Sequence, residues 1–288
     1  MDELTTKRAG DAVGDGTSLA VGTRVLGKYV IEGMLGRGGS STVYAARHVL
    51  LDRSVALKVL RNVPDGGSGR ARLLREARLL AGIQHPNVVK IFEHGVVDDD
   101  TAFLALELLE GETLLQRTNR GNLTPRAMLE IALPILDALE EVHSHKVTHR
   151  DVTLGNIFLE SDRVVLLDFG IGRPESEARI TGNTGPIGTP GYLAPEQLNT
   201  DVPVDARTDL YQLGILMYRG MTGAYPFEGT GGALFARILF ERPKPPSKLN
   251  TAVPPSVDAL VAKALAKAPD DRFQNVAEMR RAVLSYMR

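Results

Sequence analysis

The chain has 288 residues, 43% hydrophobic and 24% charged, with a formal net charge of −1; that suits one large or two modest domains with an apolar core and excludes extended disorder. No long basic run favours nucleic acid or an anionic membrane as partner, and the absence of cysteine excludes disulfides, thiolate zinc sites and cysteine nucleophiles. With no bilayer-length apolar run and with charges where a signal peptide is apolar, the chain reads as soluble and cytoplasmic, with no membrane partner of its own.

Residues 1–27 are rich in Gly, Asp and Thr without periodicity and predict a flexible leader, order beginning near Tyr29. Leu35, Gly36, Gly38, Ser41 and Val43 belong to a glycine-rich turn between strands. Glycine lets backbone N–H groups approach a phosphate because no Cβ intervenes. A dinucleotide-binding fingerprint requires a helix next, whereas residues 42–45 continue as strand.

Residues 54–60 predict a strand with Lys58 among apolar neighbours. Such a lysine either reaches solvent from a sheet edge or serves a buried anion. Residues 70–81 predict a helix with Leu73, Ala77 and Leu80 on one stripe, and Glu76 at its margin, roughly 60° from Leu73. A partly desolvated carboxylate there wants a cation, and Lys58 is the natural partner. Arg75 and Arg78 read as a solvated face. Strand-like runs at 88–92 and 102–108 lead to a hinge at 109–111. Thr124 then caps a helix that Pro125 opens and that runs to about residue 143, with Pro134 inside it expected to kink it or remove a backbone bond.

Residues 148–156 read Thr-His-Arg-Asp-Val-Thr-Leu-Gly-Asn, followed by apolar 157–159 and, after a turn, by 163–167 running into Asp168-Phe169-Gly170. Helix, polar loop and short hairpin would make Asp151, Asn156 and Asp168 neighbours, an oxygen-rich set of the kind Mg²⁺ takes. Taken singly, such residues more often cap their own backbone. Residues 172–188 suit a mobile loop, 188–197 read Gly-Thr-Pro-Gly-Tyr-Leu-Ala-Pro-Glu-Gln, and Asp209 opens an apolar helix.

In this order and spacing the motifs resemble those of eukaryotic-type protein kinases, most like bacterial serine/threonine kinases, from about Tyr29 to the last residue. The resemblance implies an α+β, bilobal fold: a leader at 1–27, then a kinase domain at 28–288, with a small β-rich lobe at about 28–108 and a mainly helical lobe at about 109–288. It implies an ATP site formed by Leu35, Gly36, Gly38, Ser41, Val43, Ala56, Lys58, Leu106, Glu107, Leu109 and Phe158. Lys58 would hold the phosphates and Glu76 would hold Lys58. Asp151 would accept or orient the substrate hydroxyl proton, while Asn156 and Asp168 would bind Mg²⁺, with Mn²⁺ the alternative ion.

The same resemblance makes His149 structural, packed on Phe169, and lets Thr189 bond the catalytic aspartate. Glu196 would pair with Arg272. Asp209 would anchor the catalytic loop, although simple charge at a helix N-terminus explains it nearly as well. Thr181 and Thr184 are candidate phosphosites, with Arg150 placed to pair with a phosphate. Implied partners are proteins bearing serine or threonine, including a second copy of the chain.

One position departs from the family. Where serine/threonine kinases carry Lys, this chain has Thr153, which can bond Asp151 but supplies no charge. Loss of one preorganised donor costs on the order of 10² to 10³ in rate. The alternative is therefore a nucleotide-binding pseudokinase scaffold. A small-molecule kinase is a weaker rival, since those families lack the 188–197 signature.

Overall fold

Alternating burial along the first long strands sets the layout of the N-terminal unit. In the computed structural model, which describes residues 18–38, 41–61, 68–98, 100–168, 190–199 and 201–287, the chain divides into two units. One comprises Met1–Ala81 with Ile91–Leu108, and the other Gly82–Lys90 with Leu109–Arg288.

The first unit contains β1 (Arg24–Val25), β2 (Tyr29–Arg37), β3 (Ser41–His48), β4 (Arg53–Leu60), α1 (Ser68–Ala81), β5 (Ile91–Asp98) and β6 (Thr101–Glu107). The strands form an antiparallel six-stranded sheet in the order β1-β2-β3-β4-β6-β5. In β3, Thr42, Tyr44 and Ala46 are buried while Ser41, Val43 and Ala45 are half-buried and Arg47 is exposed, the period of two that a pleated strand imposes. Tyr44 and Ala46 join Tyr29, Ile31, Val55, Leu57, Val59, Phe103 and Ala105 in one apolar cluster on one face. On α1, which packs on β5, Leu73, Ala77 and Leu80 are all buried.

Two expectations change here. Residues 18–27 are not a loose leader: Leu19 N donates to the Tyr44 hydroxyl (2.9 Å), Gly22 N to Ile31 O (2.8 Å), and Val25 is buried in the sheet's core. A two-residue strand is too short to show alternation in sequence. Residues 1–17 lie outside the described residues. The run at 88–92 is not one strand either. Val89 N bonds Leu166 O (3.0 Å) and Leu166 N bonds Asn87 O (2.8 Å), so 82–90 belongs to the second unit and β5 starts only at Ile91. Val88 and Val89 are buried in either arrangement, so their hydrophobicity could not distinguish the two.

The second unit contains β7 (Glu112–Thr113), α2 (Leu114–Asn119), α3 (Pro125–Ser144), β8 (Ile157–Leu159), β9 (Val164–Leu166), α4 (Pro195–Leu198), α5 (Ala206–Thr222), α6 (Gly231–Phe240), α7 (Pro255–Ala264) and α8 (Val276–Ser285). Thr124 caps α3 by accepting from Ala127 N, and the helix continues through Pro134 without ending there. Helix α5 is buried on almost every side from Thr208 to Met221, packs against α3 and α7, and ends at Gly223 in the left-handed conformation (φ +76°). A helix buried on nearly all sides belongs at the centre of its unit, and this one holds the loop at 149–152 through Asp209 and Gln212.

Candidate active site

Pairing of β8 with β9 builds the site's floor. Ile157 faces Leu166, and the ladder extends one step further because Leu167 N donates to Asn156 O (2.8 Å). Asn156, just before one strand, and Asp168, just after the other, therefore sit at the same end of the hairpin. The Asn156 amide nitrogen donates to both the Asp151 backbone carbonyl and its Oδ2, each at 2.9 Å. Asp168 adopts a left-handed backbone (φ +42°), as does Arg150 (φ +66°), both uncommon for residues with a side chain.

The loop's course is imposed from outside. Asp209 on α5 accepts from His149 N (2.9 Å) and Arg150 N (2.7 Å), and lies 2.7 Å from His143 Nε2. One turn on, Gln212 accepts from Val152 N (2.9 Å) and donates to Arg150 O (3.0 Å) and Gln197 Oε1 (3.2 Å). Tyr192 completes the grip by accepting from Leu154 N (3.2 Å). Gln212 and Tyr192 were not singled out from sequence. The available signal was polar residues three apart on an otherwise apolar helix, Asp209 and Gln212.

His149 is wholly buried. Its Nε2 donates to Leu167 O (2.7 Å) and its Nδ1 accepts from Asp151 N (3.2 Å), the pattern of a neutral ring. Burial holds its pKa below the usual histidine range, outweighing the pull of Asp209, the Leu167 carbonyl, Asp151 and Asp168 toward the charged form. Phe169 lies outside the described residues, as do Thr181, Thr184 and Thr189. Thr153 is buried, and among the described residues its hydroxyl does not bond Asp151, contrary to what its position suggests.

Away from the loop, Arg272 and Glu196 form a buried bidentate pair with both N–O distances 2.7 Å. Thr208 donates to Glu196 (2.6 Å), and Arg272 also donates to the carbonyls of Ala266 and Lys267. Every polar edge of the pair is met, which is the condition for burying two charges. Phe158 and Leu109 are half-buried in this unit, Phe158 lying opposite Thr113 and Val165.

In the first unit, register gathers the residues expected to meet a nucleotide. Gly36 pairs with Val43, Val43 with Lys58, and Ala56 with Leu106. Directly opposed residues share a face, as do residues two apart. Gly36, Val43, Ala56, Lys58 and Leu106 thus line one face, opposite the one that holds the apolar cluster. Lys58 is buried there at 9% exposure, so it is not an edge lysine in solvent. Gly38 N donates to Ser41 O (2.8 Å) across the turn, Leu35 is exposed, and Glu107 is half-buried. Glu76 is half-buried on α1.

Residues 29–283 match the protein kinase domain family. The chain belongs to that family. This kinase domain is 38% identical over 262 residues to serine/threonine-protein kinase PknB of Mycolicibacterium smegmatis, a match covering 88% of this chain and 42% of that protein. It is 33% identical over 265 residues to serine/threonine-protein kinase PrkC of Bacillus subtilis, covering 91% and 41%. The kinase domain thus spans less than half the length of these curated relatives. Among solved structures, the Mycobacterium tuberculosis PknI kinase domain aligns with a TM-score of 0.74 and 27% identity, covering 93% of this chain and 99% of that one. The fold expected from the motifs, a β-rich unit with one helix and a larger helical unit, is the one found. Family membership implies use of ATP and a divalent metal ion. Among the described residues, no helix is long and apolar enough to cross a membrane.

Proposed function

We propose that this kinase domain transfers the γ-phosphoryl group of ATP to serine and threonine hydroxyls of proteins, with Mg²⁺ as the ion and a second copy of the chain among its substrates. The observation that carries the reading is the double hydrogen bond from Asn156 to Asp151 inside a loop clamped by Asp209 and Gln212. It fixes a carboxylate in one orientation, and alignment is most of what phosphoryl transfer asks of a protein. The acceptor hydroxyl oxygen bonds to the γ-phosphorus as the bond to the β–γ bridging oxygen breaks. ADP departs, and the hydroxyl proton passes to Asp151.

The donor chemistry suits Mg²⁺. The Asn156 nitrogen is committed to Asp151, which leaves its neutral Oδ1 as the atom that would serve an ion, with Asp168 following the paired strand at the same hairpin end. Bound there, the ion would neutralise charge on the phosphates. Lys58, buried on the face with Gly36, Val43 and Ala56, would meet the phosphates, steadied by Glu76. Thr181 and Thr184 are the proposed autophosphorylation sites, Thr189 the proposed bond to Asp151, and the cytoplasm the proposed location, in keeping with the absence of cysteine.

All the curated relatives described above are named as kinases, so the scaffold alternative raised by Thr153 finds no support there. Radiolabel transfer from ATP to the chain itself and to a generic protein substrate tests the reading. Wild type should label with Mg²⁺, and Lys58→Met and Asp151→Asn should fall by on the order of 10² or more. ATP binding with no transfer in wild type and Asp151→Asn alike would select the scaffold instead. Mass spectrometry should then place phosphate at Thr181 or Thr184.

A further inference from the structure

Arg219, near the end of α5, is half-buried where every other residue from Thr208 to Met221 is buried. Its guanidinium lies 4.2 Å from the centre of the Tyr225 ring, and Nη1 donates to the hydroxyls of Tyr225 (2.6 Å) and Tyr192 (3.5 Å). The Tyr192 hydroxyl is the one that accepts from Leu154 N, so a single oxygen separates this cation from the loop carrying Asp151 and Thr153. The site is shaped for the purpose. A Cβ on Gly191 would stand 2.5 Å from the Tyr225 ring, so only glycine lets that ring close onto the turn Pro190–Tyr192, where it meets Tyr192 edge-on at 5.6 Å.

Among the described residues no carboxylate comes within ion-pair distance of Arg219, whereas Arg272, Arg207 and Arg163 in the same unit each engage one. Both phenols are neutral: burial pushes Tyr192 up to about 12 and raises Tyr225 as well. The negative end of the helix dipole favours a cation in the last turn, but that does not explain why the cation is held on Tyr192. A partly desolvated guanidinium with unspent N–H donors is built for an oxyanion, which its fork matches bidentately.

We propose that Arg219 reads an acidic side chain on the protein substrate, a few residues from the hydroxyl that is phosphorylated. The inference rests on the protein-phosphorylating reading of the site and adds to it a substrate class: acceptors in acidic surroundings. A phosphorylated residue would present the same oxyanion chemistry, and the test separates the two sources.

Fluorescent peptides with alanine at the acceptor position, and with Asp, Lys, Ala or phosphoserine walked across four positions on either side, are titrated against the full chain by anisotropy. At one position Asp should bind about tenfold tighter than Lys in wild type. Arg219→Gln, which can still donate to the phenols, should bring the two to parity; Arg219→Glu should invert the order, and Arg219→Lys should keep part of it. A flat wild-type profile, or a profile unchanged in Arg219→Gln, overturns the proposal, and so does a gain from phosphoserine with none from Asp. Because the peptides carry no acceptor, an Asp preference alongside a negative transfer assay counts against the reaction and not against Arg219.

Discussion

Thr153 is where the chemistry of this loop is thinnest. It is buried, its hydroxyl is not spent on Asp151, and Gly155 leaves room beside it, with the Thr153 hydroxyl 3.8 Å from where a Cβ would stand. Restoring a cation in Thr153→Lys should therefore raise kcat by about tenfold or more, a fraction of what one preorganised donor supplies. Steady-state kinetics decide it: an unchanged or lower kcat in a folded variant would show that the missing charge does not limit the rate. Gln212 is the converse case, a buried residue whose bonds go to the loop's main chain and to Gln197. Gln212→Leu leaves Val152 N and Arg150 O without partners in a buried place, which should cost roughly 2–4 kcal/mol and slow transfer. Chemical denaturation beside kinetics would separate those two effects.

At the scale of elements, the β7–β8 pairing depends on one residue without a side chain. A Cβ on Gly111 (φ +150°) would stand 2.1 Å from Leu159 O, the carbonyl of the residue opposite Glu112. Gly111→Ala must part those strands or distort them, with an expected loss of about 2 kcal/mol or more in unfolding free energy. The Glu196–Arg272 pair joins α4 to the turn before α8 in a similar all-or-nothing way. Arg272→Met should cost about 3–5 kcal/mol because Glu196 is left buried and uncompensated, and Glu196→Leu on top of it should recover part of the loss. Additive losses in that double mutant would mean the pair's charges are not coupled.

Across the whole molecule, the neutral, buried His149 links stability to pH. Its folded pKa lies below the ordinary value, so the unfolded chain binds a proton that the folded chain refuses as pH falls. Stability from this group is present above about pH 6.5 and lost below it. Melting curves from pH 8 to pH 5 should show a drop that is shallower in His149→Phe. How much of this could be read in advance depended on what carried the signal. Alternation in β3 and the stripe Leu73, Ala77 and Leu80 are local patterns, and they are plain in the sequence. The nearness of Asp151 and Asn156 follows from a short loop meeting a short hairpin. Residues 82–90 and the grip of Gln212 on Val152 are tertiary outcomes, in which a buried valine or an amide on an apolar helix is compatible with several neighbours. Arg219 was invisible for the same reason, since a basic residue near a helix end looks ordinary until Tyr192 and Tyr225 stand around it.

Asp209 and Gln212 hold the loop by its main chain and so have no stake in which side chains residues 150–154 present. Holding and reacting are thereby given to different parts of the polypeptide. A protein engineer could rewrite the reactive positions while inheriting the loop's path intact from the helix beneath, treating α5 as a chassis on which altered phosphotransferases are assembled.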